Sequence, residues 1–236
     1  MSARKSLTKI ASIILCWAFL SLAIYAIPRD EIARAREASY NLWTDGPRGK
    51  EIICTATVLD TNAGQILLSA GHCVADDPFG AYYISINGAL VQIALKRYFF
   101  KSIDEWNRGD YAIFEAPVRD MPSLKPCQQL PKIGEPIFAW TGPVGMRPIF
   151  RSGYFSGVLE FPNDDEAQNS IGGMLFADIH GAGGSSGSGM LRIERGRACA
   201  WGIWRDRRAS TGPMVLKTKT PDFCRASLEK GDQGGY

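Results

Sequence analysis

Short apolar and β-branched runs, each cut off by turn-forming residues, occupy most of the chain beyond residue 50 and leave little helical periodicity. Ile52–Leu59 and Gln65–Ser69 are separated by Asp60-Thr61-Asn62-Ala63-Gly64, a stretch rich in turn formers. Tyr82–Ile86 and Ala89–Leu95 flank Asn87-Gly88, the strongest short-range signal for a hairpin. Further strands are predicted at Tyr111–Ala116, Pro136–Trp140, Ile149–Phe161, Met174–Ile179, Met190–Ile193, Ala198–Trp204 and Met214–Thr218. So many short strands imply an all-β sandwich or a pair of barrels rather than alternating β and α units. The Pro-rich stretch 117–136 is a natural connector between two halves, and Pro221–Lys230 is predicted as a terminal helix before a frayed tail over 231–236.

The amino-terminal stretch follows different rules. Arg4, Lys5 and Lys9 precede an uncharged, mostly apolar run from Ile10 to Ile27, the layout of an export signal. Spanning a bilayer takes roughly 17 to 25 residues, so residues 1–27 are either a cleaved signal peptide or a signal anchor holding the chain through 10–27. Both alternatives put the remainder outside the cytoplasm, secreted or periplasmic in one case and membrane-anchored facing outward in the other. Residues 28–49 then read as a linker or propeptide, with a short charged helix possible over Arg29–Arg36, and residues 50–230 as the folded domain.

Net charge is +3 with Lys and Arg dispersed. The arginines from Arg192 to Arg208 cluster, but no stacking motif accompanies them, and solvated strand edges carry such residues, so nucleic acid is not expected as a partner. Of six cysteines, Cys16 lies in the leader, which leaves Cys54, Cys73, Cys127, Cys199 and Cys224, an odd number, in an oxidising compartment. Their spacing fits no zinc pattern, and neither a metal nor another cofactor is expected.

The glycine-rich segment Gly183-Gly184-Ser185-Ser186-Gly187-Ser188-Gly189 can turn backbone amides toward one point, as an oxyanion site requires. A serine in such a loop is a candidate nucleophile, although Gly/Ser runs are more often flexible loops. Its hydroxyl needs a base, and the chain offers only His72 and His180. His72 follows an apolar strand in Ser69-Ala70-Gly71-His72-Cys73, where Cys73 can bridge back to Cys54 and pin the loop. A base of this kind needs a carboxylate to set its tautomer. Asp110 opens the apolar run Tyr111–Phe114 and can carry its carboxylate into shelter, with Asp104 as a competitor.

Ser-Ala-Gly-His-Cys, Asp-Tyr-Ala-Ile-Phe and Gly-Ser-Ser-Gly-Ser, in this order, resemble the motifs of the trypsin and chymotrypsin family. Ile133–Phe138 and Arg151–Gly157 are similar to strands of bacterial trypsin-like peptidases, and the resemblance covers about Lys50 to Arg225. It implies two packed antiparallel barrels with a C-terminal helix, an active site in the cleft between them, and a protein or peptide substrate. It also implies a serine endopeptidase in which Ser186 is the nucleophile, His72 the base and then acid, and Asp110 the orienting carboxylate. The backbone amides of Gly184 and Ser186 would form the oxyanion hole. Ser185 stands where digestive members carry the Asp that pairs with a new amino terminus, so that mode of activation is not expected. Ser188 stands where most members have Gly, as in glutamate-specific bacterial peptidases.

His180, Trp204 and Arg205 fall where the family builds its primary specificity pocket; His180 and Arg205 together would suit an acidic side chain, against the plainer alternatives of a loop histidine and a core tryptophan. Beyond Cys54 with Cys73, a bridge from Cys127 to Cys224 would leave Cys199 free, with other pairings open. A lipase built on Ser185 is excluded because no histidine follows it, and a papain-type site lacks its cysteine signature. The remaining rivals are a protease-like domain that binds a peptide or envelope partner without turnover, and a membrane-anchored structural protein.

Overall fold

Asn87 and Gly88 both take positive φ, 51° and 83°, as the central residues of a tight two-residue hairpin turn do. Ile86 pairs with Ala89 across that turn, so the sequence signal sets the register. The computed structural model describes residues 27–100, 110–143, 146–159, 174–204 and 214–216. After helix α1 (Arg29–Glu37), these form two seven-stranded sheets.

The first sheet contains β1 (Ser39–Gly46), β2 (Gly49–Thr61), β3 (Gly64–Ser69), β4 (Tyr82–Ile86), β5 (Ala89–Ile93), β6 (Leu95–Phe99) and β7 (Tyr111–Glu115), in the order β5-β4-β1-β2-β3-β7-β6. The second contains β8 (Lys125–Pro126), β9 (Pro136–Thr141), β10 (Ile149–Leu159), β11 (Met174–Asp178), β12 (Gly189–Glu194), β13 (Arg197–Ile203) and β14 (Met214–Leu216), in the order β14-β11-β10-β9-β12-β13-β8. Apart from the short parallel contact of β8 with β13 and a single parallel bridge between Leu59 and Leu124, the described pairing is antiparallel. This is the expected pair of curled antiparallel barrels. The strand predicted over Ala89–Leu95 is divided at Ala94, where the chain leaves β4 for β7 and the Ala94 carbonyl accepts the Glu115 N–H at 2.9 Å.

Three clusters of buried side chains explain why the strands read as nearly continuous apolar runs. Alternate residues of a strand face opposite sides. On β7, Ala112 and Phe114 fill the first barrel while Ile113 faces away. On β9, Ile137 and Ala139 fill the second barrel while Phe138 faces away. The outward residues meet between the barrels, where Leu59, Leu68 and Ile113 join Phe138, Leu191 and Ile203. Truncating a side chain such as Phe138 to Ala in this seam costs roughly 3–5 kcal/mol.

The segment expected as linker or propeptide forms a helix and a strand packed on the barrels. Asp30 and Glu31 in the first turn of α1 and Arg34 and Arg36 in the last complement the helix dipole. The helix then fastens to the second barrel: Glu31 Oε2 accepts the Ala198 N–H at 2.6 Å, Arg34 donates to the Ala198 carbonyl at 3.1 Å, and Trp140 Nε1 donates to the Ile32 carbonyl at 3.0 Å. The chain continues directly into β1, which pairs with both β2 and β4. Residues 29–46 therefore belong to the folded body and touch both barrels.

The connector is also more than a tether. Leu124 exchanges backbone hydrogen bonds with Val58 and Asp60 on β2, and three residues later Cys127 N–H donates to the Ala200 carbonyl on β13 at 2.8 Å. This pairing lays Cys127 against Cys199, and the two form a disulfide with Cα atoms 5.0 Å apart. The pairing of Cys127 with Cys224 and the free Cys199 are thus corrected. The cause is the two-residue parallel strand β8, too short to leave a periodic signal. Cys224, the predicted terminal helix and tail, and leader residues 1–26 lie outside the described residues. Among the described residues no helix is long and apolar enough to cross a membrane.

Candidate active site

Strand β3 ends at Ser69, Ala70 is still extended, and Gly71–Cys73 form a single 3-10 turn that presents His72. Gly71 is required by close approach: a Cβ there would collide with the Phe99 carbonyl and crowd the backbone of Tyr111. The turn can thereby press against the start of β7, where Asp110 stands. From behind, Cys73 is bonded to Cys54 of β2, as expected.

Asp110 grips the turn with both carboxylate oxygens. Oδ1 accepts the His72 backbone N–H at 2.8 Å, and Oδ2 lies 2.7 Å from His72 Nδ1. An ionised carboxylate only accepts, so this contact places the imidazole proton on Nδ1 and leaves Nε2 as the basic nitrogen. The Asp110 side chain is 7% exposed and that of His72 27%, so the carboxylate is sheltered while the ring reaches solvent. Phe100 packs edge-on against the imidazole with ring centres 6.0 Å apart.

Ser186 lies in the loop between β11 and β12, nearly buried and flanked by Gly184 and Gly187 in positive φ, 92° and 82°. Gly187 is dictated by packing as well as by torsion. A Cβ at this position would overlap the Thr55 carbonyl and Ser69 Oγ, so the loop lies directly on β2 and on the end of β3 that leads into His72. The first barrel holds the loop further through Thr55. Its N–H donates to the Ser186 carbonyl at 2.8 Å, and its Oγ1 donates to the Gly184 carbonyl at 2.9 Å while accepting the Gly142 N–H at 3.0 Å. Ser69 Oγ in turn donates to the Thr55 carbonyl at 2.7 Å.

Ser185, the neighbouring candidate, is fully buried, and its Oγ accepts the Ala182 N–H at 3.2 Å. Ser188 is fully buried too and donates through Oγ to the Ser185 carbonyl at 2.7 Å. Of the pocket candidates, His180 is exposed. Trp204 is packed in the core of the second barrel with its indole against the backbone at Gly181, and Arg205 lies outside the described residues. Among the described residues, Cys54, His72 and Cys73 bring potential metal-ligand atoms within 4.8 Å of one another. Both sulfurs are consumed by the disulfide, however, so the cluster has no thiolate to offer. Sequence reasoning missed Thr55 and Ser69; their only signal was a hydroxyl residue inside an apolar strand.

The model of the trypsin-like peptidase domain matches residues 54–200. In overall structure the chain is similar to an inactive serine-to-alanine mutant of Rv3671c from M. tuberculosis H37Rv, with a TM-score of 0.62 at 13% identity, covering 90% of this chain and 96% of that one. It is also similar to the HtrA-type protease AlgW with a tripeptide, with a TM-score of 0.61 at 16% identity over 86% of this chain. The alignment spans 64% of that AlgW chain. Among curated proteins none matches the chain in sequence. Two curled antiparallel sheets, with the His72–Asp110 pair on one and the glycine-rich serine loop on the other, define the chymotrypsin-like serine protease fold. The chain belongs to the trypsin-like peptidase domain family.

Proposed function

We propose that the protein is a serine endopeptidase acting through His72, Asp110 and Ser186. The observation that carries this reading is the double grip of Asp110 on His72, which fixes the ring and its tautomer, while the serine loop of the second sheet packs on Thr55 and Ser69 of the first.

In the proposed cycle, His72 Nε2 removes the Ser186 hydroxyl proton as Oγ attacks the scissile carbonyl carbon. The oxygen of the tetrahedral intermediate is held by the Gly184 and Ser186 amides, and Asp110 stabilises the imidazolium. His72 then gives its proton to the departing amine, leaving an acyl-enzyme on Ser186. Water, deprotonated by His72, releases the new carboxyl terminus and restores the serine. Two disulfides and the export-like leader support an oxidising, extracytoplasmic compartment. AlgW with a tripeptide, similar in fold, agrees with a peptide as substrate.

The test is exposure of a denatured protein mixture to the purified domain, followed by sequencing of new termini. Cleavage that Ser186→Ala and His72→Ala abolish supports the reading; no cleavage by folded wild type contradicts it.

A further inference from the structure

Two residues after the proposed nucleophile stands Ser188, whose hydroxyl is fully buried. A buried hydroxyl without a partner is costly, so its bond shows what it holds. Ser188 Oγ donates to the Ser185 carbonyl at 2.7 Å, and Ser188 N–H donates to the same oxygen at 3.2 Å. That oxygen belongs to the peptide unit whose other end is the Ser186 N–H.

The described chain contains no cis peptide. In a trans peptide, C=O and N–H point in opposite directions, so fixing the carbonyl fixes the amide. The peptide units on either side are tied as well, through the Gly184 and Ser186 carbonyls to Thr55. The clamp on the middle unit is internal to the loop, made by the Ser188 side chain together with its backbone N–H.

We infer that Ser188 is a positioning residue that holds the Ser185–Ser186 peptide with its amide turned toward the developing oxyanion. This inference rests on the protease reading above.

The test uses the exported domain and a biotinylated alkyl fluorophosphonate, whose phosphoryl oxygen occupies the oxyanion position as Ser186 displaces fluoride. The maximal phosphonylation rate and the inhibitor concentration for half-maximal rate are measured for wild type, Ser188→Ala and Ser188→Thr, with thermal unfolding alongside. Losing an oxyanion donor outright removes about 10²–10³-fold in rate, and a misdirected donor less, so Ser188→Ala should lose roughly 10- to 100-fold in maximal rate. Its half-saturating concentration should stay within about twofold, and Ser188→Thr should recover most of the rate. A Ser188→Ala rate equal to wild type overturns the inference. So does a loss confined to half-saturation, a loss that Ser188→Thr fails to recover, or a variant that does not fold, which marks a structural role. Folded wild type that does not react at all overturns the protease reading itself, and this inference with it.

Discussion

Asp110 contacts His72 twice, accepting its backbone N–H at 2.8 Å and its ring Nδ1–H at 2.7 Å, so one carboxylate fixes both the place and the tautomer of the imidazole. Asp110→Asn keeps the size of the side chain but brings an amide that can donate to Nδ1, stabilising the tautomer with its proton on Nε2. The expected result is a loss of roughly 10³- to 10⁴-fold in kcat with little change in KM. Steady-state kinetics on a peptide substrate, with circular dichroism to confirm folding, checks it.

Gly187→Ala should damage folding and not merely activity. The residue has φ of 82°, and the added methyl meets the Thr55 carbonyl, which is backbone and cannot swing away. Strain of this kind and forced overpacking each cost about 1–3 kcal/mol, so a combined loss of about 3 kcal/mol or more is expected. Urea unfolding of the variant against Ser186→Ala measures it.

Cys199→Ser removes the bridge to Cys127, which closes a separation of 72 residues, against 19 for Cys54–Cys73. Chain entropy assigns about 4 kcal/mol to the longer loop and about 3 kcal/mol to the shorter. Non-reducing peptide mapping should recover Cys127 joined to Cys199, and Cys199→Ser should unfold at lower denaturant.

Tyr82 packs in the first barrel with its hydroxyl on the Asp77 carbonyl. Burial, reinforced by the charges of Asp77, Tyr98 and Asp76, pushes its phenol up to about 12. An unfolded tyrosine ionises near 10. The folded state therefore holds a proton that the unfolded state releases, and stability is complete below about pH 10 and declines as pH rises toward 12. Tyr82→Phe should flatten that decline in pH-dependent unfolding above pH 10, and an unchanged slope would assign it to other groups.

The site was legible where its determinants are local. Gly71, His72 and Cys73 are contiguous, and Asp110 opens an apolar strand, so chain-local chemistry singled out the His72 and Asp110 that the fold brings together. Thr55 was not legible, because its hydroxyl links positions 142 and 184, and only the folded pairing of the barrels brings these together. Strand β1 was missed for a different reason. Its residues Tyr40, Asn41, Trp43 and Thr44 are only partly buried, so the apolar signal is weak, and its place in the sheet comes from pairing with β2 and β4. The Cys127–Cys199 bridge depends in the same way on a parallel contact that no local pattern announces.

The most direct measurement of the central claim is tandem mass spectrometry of the purified protein after reaction with a fluorophosphonate at near-neutral pH. An activated Ser186 predicts one adduct, on Ser186 and not on the buried Ser185 or Ser188, and its disappearance in His72→Ala. An adduct on another serine, or equal labelling with and without His72, would contradict it.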